Sequence, residues 1–236
     1  QYTWFAARDS FDAQLENYKL FAEYSNIEVI TTEHLWHNAN VSAFGQLKAY
    51  LNSKTMMDPD ADDVTYDGLV NEFFGRNSDG TFTGKGYYGP AGEYMYNMYT
   101  TMRGYLADFD SAMPNGKGKP YDATDLGWIT AQISTLLGYI TSANTAIDDS
   151  GVSEELKAIY KEHILIESLM PRFLDAYNEL GAGYTDLDAY RTQFLTDAKA
   201  FGYIYYASGA TPTMYSLEEE WFGENTVYTV APETYY

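Results

Sequence analysis

A mainly α fold, an antiparallel helical bundle, is what this sequence predicts, and three observations predict it. Apolar residues recur at intervals of three and four along most of the 236 residues. Three long stripes of this kind follow Gly89, separated by short breaks, which is the pattern of antiparallel neighbours. Strand-like stretches are confined to Ile27 through Thr32 and to Thr226 through Val230, the latter a short strand or an extended tail, and no fixed-period repeat supports a solenoid.

The elements follow in order. Asp9 or Ser10 can cap a first helix whose apolar face is Phe11, Leu15, Tyr18 and Phe21, with Asn26 at its end. Ile27 through Thr32 then alternates and is β-branched, so it reads as a strand, and an isolated strand needs a sheet to satisfy its backbone groups. After Asn38-Ala39-Asn40 a helix carries Phe44, Leu47, Tyr50 and Leu51 inward and stops near Asp58-Pro59. A short helix has Tyr66, Leu69, Val70 and Phe73 on one face. Gly75 through Gly86, rich in glycine with Asn77, Ser78 and Asp79, reads as a flexible loop.

Pro90 suits a first helical position, and the helix behind it shows Tyr94, Met95, Met98, Met102, Tyr105, Leu106 and Phe109 as one stripe. The methionines read as plastic core filling. Pro114 to Pro120 break this helix. The next uses Leu126, Ile129, Ile133, Leu136, Leu137, Ile140 and Ile147. Ser153 caps another, with Glu154 and Glu155 complementing its dipole. Leu156, Ile159, Tyr160, Ile164, Phe173, Leu174 and Tyr177 form its stripe; Pro171 should kink it and Gly181 and Gly183 stop it. A last long helix would use Leu187, Tyr190, Phe194, Leu195, Ala198 and Phe201.

Charge narrows the function classes. With 34 acidic and 14 basic residues the formal net charge is −20, which repels phosphate backbones and anionic headgroups. No apolar run approaches the roughly 20 residues of a spanning helix. Cysteine is absent, which excludes disulfides and thiolate metal sites. The 24 tyrosines fit either a wet core or a carbohydrate-facing surface. Gln1-Tyr2-Thr3-Trp4 has no initiator Met and no basic leader, so the chain reads as part of a longer protein whose export signal would lie upstream.

Four pieces share an order and spacing: Ala49 to Lys54, Asp58-Pro59-Asp60-Ala61-Asp62, Val70 to Phe74, and Tyr87-Tyr88-Gly89-Pro90-Ala91. Together with Glu162 to Pro171 and Asp186 to Trp221, they resemble a family of bacterial proteins of unknown function that are similar to glycoside hydrolases of the hexosaminidase and alpha-glucuronidase kind. The resemblance implies a (β/α)8 barrel upstream. Residues 1–40 would be its end, a helix and the last strand, and residues 41–236 a C-terminal helical domain. Two departures from the family pattern are the glycine-rich insert from Asn77 to Gly86 and the Glu33-His34 pair at the strand end.

Candidate site residues come from that frame. Glycosidic cleavage usually needs two carboxyl groups, and barrel sites lie at C-terminal strand ends. Glu33 follows the predicted strand, so it would contact sugar hydroxyls, with Trp36 as a stacking face and His34 or His37 as hydrogen-bonding groups. The alternative is a loop carboxylate at a helix entry. The resemblance puts the general acid and its partner on a middle strand, so no catalytic residue is expected in this chain. Tyr87 and Tyr88 could form a sugar platform or pin the helix start, and their place before Gly89-Pro90 favours the latter.

Metal readings are weak. Glu33, His34 and His37 have a partial ligand spacing, but the remaining histidine, His163, is far along the chain. Asp58, Asp60, Asp62 and Asp63 start like a calcium loop, yet Asp63 and Leu69 stand where glycine and glutamate belong. No metal, cofactor, nucleotide loop or Ser-His-Asp order is expected.

The expected function is therefore the C-terminal part of a secreted or surface glycoside hydrolase acting on a polysaccharide or glycan, inactive by itself, with carbohydrate and the upstream barrel as partners. The alternative is a non-catalytic carbohydrate-binding or surface scaffold module. A binding module should gather exposed aromatics beside polar groups, whereas a scaffold should bury its tyrosines.

Overall fold

The computed structural model describes residues 11–24, 44–59, 61, 64–107 and 131–181, and the backbone of three short strands between 205 and 229. These residues are mainly helical. The predicted strand at 27–32, the candidate residues Glu33, His34, Trp36 and His37, and the helix predicted over 187–201 lie outside the described residues.

Helix α1 covers Phe11–Tyr24 and buries Leu15 and Tyr18 against α2, Gly45–Met57. Phe21, expected on the same buried face, is about half exposed. Helix α2 turns Leu47 and Leu51 inward and ends at Asp58, where Pro59 disfavours another helical residue. Helix α3, Tyr66–Phe74, is capped at its start by the Thr65 hydroxyl, which accepts from the Gly68 amide at 3.1 Å. It ends at Gly75 in the left-handed conformation, and Leu69, Val70, Phe73 and Phe74 are buried.

The glycine-rich excursion between Gly75 and Gly86 is cross-braced. Arg76 and Phe82 form an antiparallel bridge, and Asp79 accepts from both the amide and the hydroxyl of Thr81. The Thr83 amide donates to the Gly75 carbonyl at 2.8 Å, and the Tyr87 amide to the Phe73 carbonyl at 2.8 Å. A side chain on Gly86 would run into the backbone of Phe74 and Gly75, so only glycine lets the two strands of chain meet there.

A 3-10 turn over Gly89–Ala91, with Pro90 at its start, leads directly into α4, Gly92–Ala107. Met95, Met98, Tyr99 and Met102 of α4 are buried. Helix α5, Ile133–Asp148, buries Ile133, Leu136, Ala143 and Ile147 and packs on both α4 and α6. Helix α6, Glu154–Gly181, starts with the Leu156 amide donating to the Ser153 hydroxyl at 3.3 Å, as its sequence predicts. Its stripe is only partly buried: Ile164 is fully enclosed, but Leu156 and Ile159 are exposed by 42% and 46%. Pro171 lies inside this helix, which continues past it to Gly181.

The C-terminal strands β1, Tyr205–Ala207, β2, Thr213–Tyr215, and β3, Val227–Thr229, pair antiparallel in the order β1-β2-β3. Only the last lies where the sequence pattern predicts a strand. Each of these strands is three residues long, too short for its alternation to stand out from a loop.

Candidate functional site: an aromatic hub around a buried carboxyl

Three titratable groups with shifted equilibria, Tyr87, His163 and Glu167, converge where the start of α2, the end of α3, the turn at 87–91 and the middle of α6 meet. Phe44 stands just before α2 with φ 56° and ψ 34°, a left-handed conformation that a bulky side chain rarely adopts. Its carbonyl accepts the first helical bond, from the Lys48 amide at 3.1 Å, but no side chain caps this end. Two interactions hold it. Its ring is buried edge-on against Phe74, Tyr88 and Tyr99, with centroids 6.1, 6.4 and 5.0 Å away. Its amide donates to Glu167 Oε2 at 2.7 Å.

Glu167 is buried in α6 and takes a second hydrogen bond on Oε1 from the Tyr88 hydroxyl at 3.1 Å. Burial pushes its carboxyl up to about 7, against the pull of the Phe44 amide and the Tyr88 hydroxyl toward the ionised form. No described lysine or arginine pairs with it. Tyr88 itself is fully buried, stacked on Phe74 at 5.6 Å and edge-on to Tyr87 at 5.0 Å.

Tyr87 forms the outer layer. Its ring lies between Phe73, at 4.8 Å, and His163, at 4.0 Å with the planes 6° apart. Burial, with smaller contributions from the charges of Glu167 and Glu162, pushes its hydroxyl up to about 12. His163 Nδ1 is 3.1 Å from the Tyr87 carbonyl oxygen. A carbonyl only accepts, so Nδ1 carries the proton and Nε2 is the acceptor of the neutral ring. Burial lowers the pKa of His163, opposed by the Tyr87 carbonyl and Glu162, which favours that neutral form.

Beyond the hub, Tyr66 and Tyr99 share a hydroxyl–hydroxyl hydrogen bond. The Tyr50 hydroxyl is buried without a hydrogen-bond partner in good geometry. Burial, then the nearby Glu72 carboxylate, raises its pKa. On the surface Arg76 lies over the Tyr96 ring, 5.1 Å from its centre.

The placement of the predicted site residues is uneven. Tyr87 and Tyr88 come together, with Tyr88 wholly enclosed and Tyr87 half enclosed between two rings, an arrangement that fits pinning of the helix start. Glu33, His34 and Trp36 lie outside the described residues. Asp58 is exposed at the end of α2, consistent with its reading as helix punctuation. Among the described residues no three His, Asp or Glu side chains are placed to hold a metal ion.

The sequence carries no signal that pairs Glu167 with Phe44 across 123 residues. A signal for Glu167 existed: Tyr160, Ile164, Glu167 and Pro171 recur at helical spacing, so a carboxyl falls on the inward face. Nothing local marks Phe44 as left-handed, because such backbone is normally announced by glycine or asparagine.

In chemical terms the hub offers a proton-holding carboxyl enclosed by the protein and a neutral imidazole at its edge. It binds neighbouring elements of the chain to one another. No family model matches this chain, and neither a curated protein nor a solved structure is found to be similar to it.

Proposed function

We propose that this chain is the helical support of a secreted glycoside-hydrolase-like protein, holding a carbohydrate-active barrel that lies upstream and performing no turnover by itself. One observation carries this reading. The most specific piece of the family resemblance, Tyr87 to Ala91, is the joint of the bundle: Tyr88 is its buried centre, and the Tyr160 ring fills the space beside Gly89 where a side chain would stand. A motif whose rings are spent on packing supports an architectural role rather than a sugar platform. The buried Tyr18, Tyr88 and Tyr99, and the partly buried Tyr50, Tyr66, Tyr87, Tyr94, Tyr96, Tyr139 and Tyr160 against the same core, support the same role. Among the described tyrosines Tyr24 is the strongly exposed one, at 75%.

Sugar contact, on this reading, belongs to Glu33 and Trp36 with His34 beside them. A glycan array and a panel of chromogenic glycosides test it with the whole chain, Glu33→Ala, Trp36→Ala and Tyr87→Ala. The expected result is no hydrolysis, and any glycan retention lost in the first two variants and kept in Tyr87→Ala. Hydrolysis by the chain alone would refute the supporting role. Retention lost specifically in a folded Tyr87→Ala variant would favour the carbohydrate-binding module instead.

A further inference from the structure

We propose that Glu167 is a proton-operated latch that fastens the start of α2 to the middle of α6 when neutral and loosens it when ionised. The geometry supplies the parts. Glu167 reaches across 123 residues of sequence to the amide of Phe44, the one described non-glycine residue with a left-handed backbone, and across 79 to the hydroxyl of Tyr88. Protonated, Oε1 donates to the Tyr88 oxygen while Oε2 still accepts from Phe44, so the neutral carboxyl satisfies both contacts. Ionised, it keeps the two donors of Phe44 and Tyr88 but is buried with no paired cation among the described residues, a costly place for a charge.

The groups around it do not remove that cost. From the turn it meets the Tyr88 hydroxyl and Tyr87, whose own hydroxyl is pushed up to about 12. From α2 it meets the Phe44 amide. One turn earlier on its own helix stands His163, held neutral by burial, and Glu162 adds only negative charge. The carboxyl is pushed up to about 7 by its burial, which places the change of state within the physiological range.

Loosening has a defined location. Phe44 stays left-handed only while its ring is packed and its amide is bonded, so an ionised Glu167 favours release of the first turn of α2. If Glu167 is solvated when this corner opens, linkage between an ordinary value of 4.5 and about 7 raises the opening constant roughly 70-fold from pH 5 to pH 8.

Amide hydrogen exchange at Phe44 and the first turn of α2 measures this, corrected for intrinsic exchange, on the full chain and on Glu167→Gln. The glutamine keeps both contacts, accepting from Phe44 and donating to Tyr88, but cannot ionise. Protection in the natural chain should fall between pH 5 and 8 by roughly 70-fold more than in Glu167→Gln. Parallel profiles would overturn the latch. A second variant guards against misfolding of the first: Tyr88→Phe removes a donor to the ionised form, so the midpoint should move to higher pH. A midpoint unmoved or moved down would overturn the proposal equally.

Discussion

Phe44→Gly and Phe44→Ala form a pair whose order of stability tests the left-handed backbone at the start of α2. Both remove a ring that is 2% exposed and touches Phe74, Tyr88 and Tyr99, and such a truncation costs about 3–5 kcal/mol. The backbone separates them. At φ 56° alanine retains a penalty of about 1–2 kcal/mol that glycine does not have. Glycine loses about 0.5–1 kcal/mol more chain entropy on folding. Glycine should therefore be the more stable of the two by about 0.5–1 kcal/mol, the reverse of the order at an ordinary helical position. Urea unfolding followed by helical circular dichroism at pH 5, where Glu167 is neutral, reads the difference directly. An alanine variant as stable as glycine, or more so, would refute the left-handed assignment and the strain argued from it.

Other expectations are sharper in pairs. Tyr88→Phe should lower stability by about 1–2 kcal/mol, because it leaves Glu167 one partner short. Tyr50→Phe should be nearly neutral, because its hydroxyl makes no well-formed hydrogen bond and has only the exposed Glu72 carboxylate nearby; unfolding midpoints compare the two. Gly89→Ala combines a φ of 54° with a collision against the Tyr160 ring and should cost about 3 kcal/mol in the same assay; a loss under about 1 kcal/mol would contradict the packing described. Thr65→Ala should cost about 1 kcal/mol through the lost cap on the Gly68 amide. Global stability should fall as pH rises. The folded chain holds a proton on Glu167 between the ordinary 4.5 and about 7 that the unfolded chain has released, so its contribution is full below 4.5 and lost through 7. At about 1.36 kcal/mol per pH unit, this amounts to about 3 kcal/mol, measured as the difference between the natural chain and Glu167→Gln. His163 should titrate at higher pH in Tyr87→Ala, since the ring stacked on it contributes to its burial; proton NMR of the imidazole follows it.

The helices were legible where apolar spacing was dense. Leu47 and Leu51, then Leu69, Val70 and Phe73, then Met95, Met98 and Met102, and finally Ile133, Leu136 and Ile147 all face the core as their intervals predict. Caps were legible too, at Ser153 and at the proline after Asp58, because their chemistry is local. Legibility failed where partners decide. Leu156 and Ile159 match the stripe of α6 yet stay exposed, since periodicity assigns a face but cannot say whether another element covers it. The loop after α3 read as flexible from its glycines. The braces that hold it, such as the Thr83 amide on the Gly75 carbonyl, come from residues eight apart and have no composition signature. Glu167 illustrates the third kind of failure. A charged letter on an apolar face looks like noise until the amide of Phe44, far away in sequence, gives it a partner.

The pinched base of the excursion between Gly75 and Gly86 has a further consequence. Phe73 and Tyr87 are already hydrogen-bonded below it, so α3 and the turn at Gly89–Ala91 are joined whatever the chain does in between. The excursion is thermodynamically detachable. Extra residues added at its exposed tip, between Asp79 and Thr81, would give up the local bonds of Thr81 to Asp79 and then feel the entropy of a longer ring, about 0.6 kcal/mol for each doubling, while the bonds at the base stay intact. This makes the tip the natural point of length variation in the described bundle, and a ready socket for grafting a fluorophore or an affinity peptide without disturbing the hub beneath it.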